Sequence, residues 1–224
     1  MSSKRTFLLN FKAYSNSYGE KAVTLSQQID QLADKYKDIE LIIAVPATMI
    51  ERISKNVKRV KVYAQHVDPV KEGAYTGHIT AGMIKEAGAK GSMINHSEKK
   101  VRFDELAESL KILQSEGLES LVCVDRHELV GPAAMLAPTY VLVEPPELIG
   151  TGISVSRAKP EVIIKSVEEI NKVGGKLLVG AGISNREDSK RSVELGAAGV
   201  GLASAVMKDQ NPVAKAEEII SGLL

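Results

Sequence analysis

The chain repeats one pattern from end to end: a short apolar run followed by a stretch with helical periodicity. Eight such runs occur, and most are nearly continuous rather than alternating, which is typical of strands covered on both faces. Runs of this kind that alternate with helices favour a parallel sheet. The predicted strands lie at 6–10, 40–45, 60–65, 91–95, 120–124, 140–144, 176–180 and 199–204.

Helix signals occupy several gaps between these runs. Apolar residues at helical spacing predict helices over 21–36 and 104–114. Further helices are indicated by residues that commonly begin or end them. These residues are Pro160 and Gly174, then Ser184 and Glu187 (spaced as a capping box) with Gly196, and finally Asn211 with Pro212.

This alternation predicts an α/β fold without a linker or a change of composition along the chain. We expect a (β/α)8 TIM barrel that forms a single domain over residues 1–224. A doubly wound open sheet is the structural alternative, because periodicity does not reveal whether a sheet closes. In either architecture, functional residues belong at the carboxyl ends of the strands.

The charge balance and the cysteine content exclude several classes of protein. Lys and Arg total 29 and Asp and Glu total 28, so no overall field favours nucleic acid or a membrane surface. The apolar part of the N-terminal segment is too short for a signal peptide or a membrane span. Cys123, the only cysteine, is predicted to be a small buried hydrophobe in a reducing cytoplasm. No cluster has the spacing of metal ligands, so we expect no metal.

Chemically active side chains stand where three of the predicted strands end. The first run ends at Asn10 and is followed by Lys12, the fourth run is followed by His96, and the sixth run ends at Glu144. Each has an ordinary explanation when taken singly, as a surface charge, a structural histidine or a strand terminator. A helix start at 97–98 would disfavour a positive imidazole at His96, so a neutral histidine is expected. Glu144 is a candidate base, provided that it lies in an apolar cleft.

Two turns rich in small residues follow the last two predicted strands. Gly180, Ala181 and Gly182 allow backbone N–H groups to approach an anion, and the turn at Ala203 and Ser204 offers more of them. A phosphate site after strands seven and eight is common in barrels. This pair of turns therefore predicts a phosphate cradle, although it does not specify a reaction.

Together, these segments closely resemble the triosephosphate isomerase family, in its archaeal branch. The matching segments are NFK at 10–12, NHSE at 95–98, EPPELIGTG at 144–152, GAGIS at 180–184 and the small-residue turn at 203–204. They occur in the family's order over the whole chain. The resemblance implies an enzyme that interconverts dihydroxyacetone phosphate and D-glyceraldehyde 3-phosphate in glycolysis and gluconeogenesis, without a cofactor or metal.

The resemblance also implies a role for each matched residue. Glu144 would be the general base, His96 a neutral electrophile, of which this family is the standard example, and Lys12 a fixed positive charge. Asn10 would orient the substrate, and Glu98 would lie beside the lysine. The remaining residues would hold the substrate or its phosphate, largely through backbone N–H groups: Ile149, Gly182, Ala203 and Ser204.

Two further features follow from the resemblance. The segment after Glu144 would be a lid, stiffened by Pro145 and Pro146 and made mobile at its far end by glycines, although Glu147 stands where many members have Trp. Segment 73–77, GAYTG, would reach a neighbouring subunit through Thr76. We therefore expect a homodimer at least, with a tetramer also allowed.

Two other functions remain open at this stage. One is another isomerase, synthase or aldolase on a phosphate-binding barrel. An aldolase would need a Schiff-base lysine inside a strand near its end, whereas Lys176 begins run seven. The other is a catalytically silent barrel that binds a phosphorylated metabolite. The presence of both Glu144 and His96 disfavours the silent barrel.

Overall fold

The computed structural model describes residues 4–224, which form a closed barrel of eight parallel strands in sequence order. The first strand pairs with the last, with Thr6 opposite Gly199 and Leu9 opposite Leu202. The predicted barrel is therefore confirmed, and the open-sheet alternative is wrong. The strands are β1 Arg5–Asn10, β2 Ile39–Val45, β3 Lys61–Ala64, β4 Gly91–Ile94, β5 Glu119–Val124, β6 Tyr140–Val143, β7 Leu177–Val179 and β8 Gly199–Leu202.

Helices follow the strands and cover the outside of the barrel. The predicted helices over 21–36 and 104–114, and those that begin at Pro160 and Pro212, are all present. Short 3-10 turns occupy Ala47–Met49, His127–Leu129 and Pro146–Leu148. The helices are α1 Gly19–Lys35, α2 Ile50–Ser54, α3 Ala81–Glu86, α4 Phe103–Ser115, α5 Val130–Ala134, α6 Val155–Ala158, α7 Pro160–Val173, α8 Arg186–Glu194, α9 Ser204–Met207 and α10 Pro212–Ser221.

The structure corrects two predicted helix starts. The cap of α8 is Asn185, whose side chain accepts the N–H of Asp188 at 3.0 Å, and not Ser184. Residues 97–98 form a turn, because α4 begins only at Phe103. At α8 the sequence offers two polar residues in succession, Ser184 and Asn185, and only the backbone decides which one caps. Neither Ser97 nor Glu98 caps a helix, because the residue that precedes α4 is Arg102.

The core has two layers, because successive strand residues point to opposite faces. The larger layer fills the space between barrel and helices. The smaller layer fills the barrel interior and contains Cys123, as predicted for a buried hydrophobe; burial raises the pKa of its thiol. No helix within residues 4–224 is both long and apolar enough to cross a membrane.

A charged network closes the barrel at the amino ends of the strands. Lys61 contacts the carboxylates of Glu40 and Glu119, with its Nζ 2.7 Å from Glu119 Oε1. Tyr63 donates its hydroxyl to Glu119 at 2.6 Å, and Tyr140 donates to Glu40. Burial raises the pKa of Glu40, but the hydrogen bonds from Lys61 and Tyr140 outweigh burial and leave that pKa below its ordinary value.

Replacing Lys61 by Met should destabilise the fold by about 2 kcal/mol, because two partly buried carboxylates would then face each other without a cation. Glu40 has a lowered pKa in the folded state, so its contribution is present above the ordinary value of 4.5 and is lost as the pH falls below it. The cost of Lys61→Met should therefore shrink in acid. Urea unfolding at pH 7 and pH 4 measures this change.

Lys55→Met, which removes an exposed pair with Glu51, is the matched control and should cost far less than Lys61→Met, because solvent screens this pair. Equal losses for Lys61→Met and Lys55→Met would show that the network at the barrel bottom does not stabilise the fold.

Candidate active site

The residues predicted from the strand ends converge at one end of the barrel. Asn10, Lys12, His96 and Glu144 line two adjoining cavities of about 530 and 320 Å³. Glu144 faces the larger cavity and His96 the smaller, while Lys12 and Glu98 border both. The two cavities are therefore parts of one site, and the parallel strands place its side chains there.

Glu144 directly follows β6 and is largely withdrawn from water. Its side chain is 13% exposed, and its backbone N–H donates to Val124 O at 2.9 Å. The side chain lies against Gly180, where an added Cβ would approach Glu144 Oε1 to 2.5 Å. The glycine that begins the turn after β7 thus makes room for the carboxylate.

His96 follows β4 and lies beside Glu144. Its Nε2 is 3.4 Å from Glu144 Oε2, which is longer than an ordinary hydrogen bond. Its Nδ1 accepts the backbone N–H of Glu98 at 3.2 Å. An Nδ1 atom that accepts a hydrogen bond carries no proton, so the geometry favours a neutral imidazole with its proton on Nε2.

The contact that would favour a neutral His96 differs from the one predicted. No helix begins at 97–98, so a single backbone N–H in a turn takes the place of the expected helix dipole. A carboxylate oxygen of Glu98 also lies 3.5 Å from Nδ1 and would favour a proton there. The N–H is the nearer group and is directed at the nitrogen, whereas the Glu98 carboxylate is engaged by Lys12.

Lys12 is held by its backbone as well as by its side chain. Its φ is +48°, a left-handed conformation that is unusual for a residue other than glycine, and its N–H donates to Asn10 Oδ1 at 2.9 Å. Its Nζ lies 2.7 Å from Glu98 Oε1, and the side chain is 13% exposed. The ammonium group is therefore fixed at the border of both cavities.

Gln65 is a site residue to which the sequence prediction gave no role. Its side-chain nitrogen lies 3.2 Å from Asn10 Oδ1, 3.1 Å from Lys12 O and 3.2 Å from Ala44 O. It thereby braces the strained backbone at Lys12. The one sequence feature that could have identified Gln65 is its position at the end of the third predicted strand.

The turn after β7 has the open backbone that an anion site requires. Gly182 has φ +70°, and an added Cβ there would lie 1.9 Å from Ile153 O, so no other residue fits. Ala203 precedes α9, which begins at Ser204. Among residues 4–224, the N–H groups of Gly182 and Ala203 donate to no backbone or side-chain oxygen. Gly182, Ala203 and Ser204 all line the larger cavity.

The segment after Glu144 arches over the same cavity. Pro145 and Pro146 lead into a 3-10 turn, and Gly150 and Gly152 have positive φ values of 77° and 74°. Ile149 lines the cavity, but its N–H donates to Pro146 O at 3.2 Å. That N–H is therefore engaged within the segment itself in this conformation.

The segment after Glu144 makes a further contact through Glu147. Glu147 forms an ion pair with Lys159, just ahead of α7. Both side chains are more than a third exposed, so the pair is screened by solvent and holds the segment only weakly.

Lys208 adds a second cation that sequence reasoning missed. It is exposed, lines the larger cavity, and lies with its Nζ 5.3 Å from the centre of the Tyr14 ring. No motif marks it, because it lies after the small-residue turn and α9.

Residues 4–224 contain no group of three or more His, Cys, Asp or Glu side chains that could bind a metal ion.

These features define a class of protein. A closed parallel barrel carries a carboxylate, an imidazole and an ammonium group at its carboxyl rim, beside a turn whose N–H groups can take an anion. This places the chain among the barrels that can hold a phosphorylated small molecule next to a base.

The particular family is shown by comparison with known proteins. The model of the triosephosphate isomerase family matches residues 6–221, and the chain belongs to that family. The triosephosphate isomerase of Sulfolobus acidocaldarius is 53% identical over 97% of this chain and 94% of its own. That of Saccharolobus solfataricus is 51% identical over 97% and 95%, and that of Methanothermus fervidus is 43% identical over 96% of each chain. The predicted family resemblance is confirmed.

Proposed function

We propose that the chain is a triosephosphate isomerase, which interconverts D-glyceraldehyde 3-phosphate and dihydroxyacetone phosphate in glycolysis and gluconeogenesis. The main observation behind this proposal is that Glu144 lies beside His96, with Oε2 3.4 Å from Nε2. The two residues lie where the two cavities meet, next to the turn that contains Gly182. Isomerisation needs a base that reaches two adjacent carbons and a donor that reaches two adjacent oxygens. One carboxylate and one neutral imidazole satisfy both needs.

Each atom transfer can be assigned to a residue of this site. Glu144 removes the proton from C2 of D-glyceraldehyde 3-phosphate and returns it to C1, through an enediolate. His96 donates its Nε2 proton to the carbonyl oxygen and then moves a proton between the two oxygens. Lys12 stabilises the negative charge of the enediolate, and Asn10 orients the substrate oxygens. The reaction is redox-neutral, so we propose no cofactor.

The phosphate and the lid have linked tasks. We propose that the backbone of Gly182, Ala203 and Ser204 holds the phosphate, and that Ile149 adds its N–H when the lid closes. For that contact the bond from Ile149 N–H to Pro146 O must open. Closure excludes water and keeps the enediolate from eliminating its phosphate.

The alternatives find less support in the site. An aldolase of this fold would need a Schiff-base lysine inside a strand near its carboxyl end, and Lys12 lies beyond the end of β1. Lys176 instead precedes β7, with its Nζ 5.4 Å from the centre of the Tyr140 ring at the opposite end of the barrel. A silent phosphometabolite-binding barrel would not require the withdrawn carboxylate beside a neutral histidine.

The test of the proposal is a coupled assay in which purified protein converts D-glyceraldehyde 3-phosphate and the dihydroxyacetone phosphate formed is reduced by an auxiliary enzyme. We expect turnover without added metal and in the presence of a chelator. A folded protein that binds inorganic phosphate but gives no turnover would favour the silent barrel.

We also propose an arrangement for the whole protein. Residues 1–224 form one domain that acts in the cytoplasm, binds triose phosphates, and contacts neither nucleic acid nor membrane. Pairing of β1 with β8 supports the single domain. Segment 73–77 is exposed throughout, with Tyr75 46% exposed, which suits a contact with a second copy in a homodimer or a tetramer.

Thr76→Arg should weaken self-association by about tenfold or more, because a long charged side chain would enter the proposed contact. Sedimentation velocity over a dilution series measures the change. Thr24→Arg places the same side chain on the exposed face of α1 and is the matched control. Identical sedimentation of the two variants would remove segment 73–77 from the interface.

A further inference from the structure

Asp188 is a buried charge outside the reacting centre. It lies in the first turn of α8 and is 0% exposed. A carboxylate withdrawn from water is costly unless charges and hydrogen bonds compensate for the lost hydration. The groups that compensate Asp188 come from two separate segments of the active-site rim.

The first segment is the turn that follows β7. Asp188 Oδ2 accepts both the backbone N–H of Ser184 at 3.0 Å and its hydroxyl at 3.1 Å. Ser184 lines the larger cavity, two residues after Gly182. A charged acceptor thus fixes the end of the proposed phosphate cradle.

The second segment is α6, which follows the lid. Arg157 Nη2 lies 2.7 Å from Asp188 Oδ1, and the Ser156 hydroxyl donates to the backbone oxygen of Asp188 at 3.3 Å. The approach of Arg157 is close but not aligned, so Oδ1 has no directed hydrogen bond within residues 4–224. The Arg157 side chain is 56% exposed, so this contact is an ion pair with room to adjust.

Backbone contacts join the same two segments. Val155, the first residue of α6, donates its N–H to Ala181 O at 3.2 Å. Ile153 O lies so close to Gly182 that any Cβ there would collide with it. The downstream end of the lid therefore rests on the turn after β7, and Asp188 binds both.

We propose that Asp188 is a positioning residue that couples the phosphate cradle to the downstream end of the lid. Through Ser184 it sets the N–H groups that meet the phosphate, and through Arg157 it sets where the lid is anchored. Phosphate binding and lid closure are then adjusted together. This inference rests on the proposed isomerase function.

A simpler role for Asp188 would be to stabilise the start of α8, since an acidic residue in the first turn interacts favourably with the helix dipole. The two roles predict different effects on substrates with and without a phosphate group. A helix-stabilising residue affects every substrate alike, whereas the proposed coupling acts through the phosphate, because the energy of a remote group is used at the reacting carbons.

The experiment compares D-glyceraldehyde 3-phosphate with D-glyceraldehyde, which lacks the phosphate. For Asp188→Asn, the ratio of their kcat/KM values should fall about tenfold or more, the effect expected for hydrogen bonds to a charged group. Arg157→Gln should lower the ratio in the same direction, and Arg157→Lys should restore part of it. Elimination to methylglyoxal and inorganic phosphate should increase in both Asp188→Asn and Arg157→Gln.

Several results would overturn the inference. An unchanged ratio, or equal losses on both substrates, would leave Asp188 as a stabiliser of α8. Thermal unfolding of each variant accompanies the kinetics, and Arg157→Gln decides the question alone when Asp188→Asn does not fold. Wild-type turnover with an unchanged ratio rejects only the coupling, whereas absence of wild-type turnover rejects the proposed function as well.

Discussion

Glu144→Gln is expected to reduce kcat by about 10²–10⁴-fold, the range for loss of a positioned base. The amide matches the carboxylate in size and fits against Gly180, but it cannot accept the carbon-bound proton. KM should change little, since the phosphate contacts lie on other segments. Steady-state kinetics in the coupled assay measure both constants.

Glu147→Gln is the matched control for this prediction. Glu147 lies three residues further along and is exposed. Within residues 4–224 its only ion pair is with Lys159, so its loss should change kcat by no more than about threefold. Binding of inorganic phosphate should be retained by both variants. Turnover of Glu144→Gln within a few-fold of wild type would show that another group is the base.

Lys12→Met is expected to reduce kcat/KM by about 10²–10³-fold, comparable with the loss of one group that stabilises a transition-state oxyanion. Its ammonium group borders both cavities, so both kcat and KM should be affected. The substitution also frees the Glu98 carboxylate, which would then lie 3.5 Å from His96 Nδ1 without its cation.

Lys208→Met provides the comparison for Lys12→Met, because it removes a second cation that lines the larger cavity. Lys208 is exposed and therefore screened, so we expect only about a two- to fivefold increase in KM. Equal effects of the two substitutions would mean that Lys12 acts only through the overall positive charge of the cavity, and not through the fixed position of its ammonium group.

The barrel was predictable because its signals are periodic and repeated. Continuous apolar runs report burial on both faces, and each of the eight predicted strands contains the observed one or overlaps it closely. The convergence of Lys12, His96 and Glu144 was predictable for a related reason. In a parallel barrel, residues that follow strands lie at the same rim even when they are far apart in sequence.

Other parts of the site depend on three-dimensional contacts that carry no periodic signal. The hydrogen bond of the Glu98 N–H to His96 depends on a turn that the sequence prediction took for a helix start. Gln65 supports Lys12 across 53 residues. Asp188 resembles any acidic residue in a first helical turn, and only its burial between Ser184 and Arg157 distinguishes it.

The central claim is that Glu144 moves a proton between two carbons, and it is tested most directly by isomerising D-glyceraldehyde 3-phosphate in D2O. Proton NMR then follows C1 of the dihydroxyacetone phosphate formed. The proposed mechanism predicts deuterium at C1 in at least part of the product, because the proton held by Glu144 exchanges with solvent before it is returned. The proposed mechanism would be contradicted if the product contained only hydrogen at C1 and if Glu144→Gln formed that product at an undiminished rate.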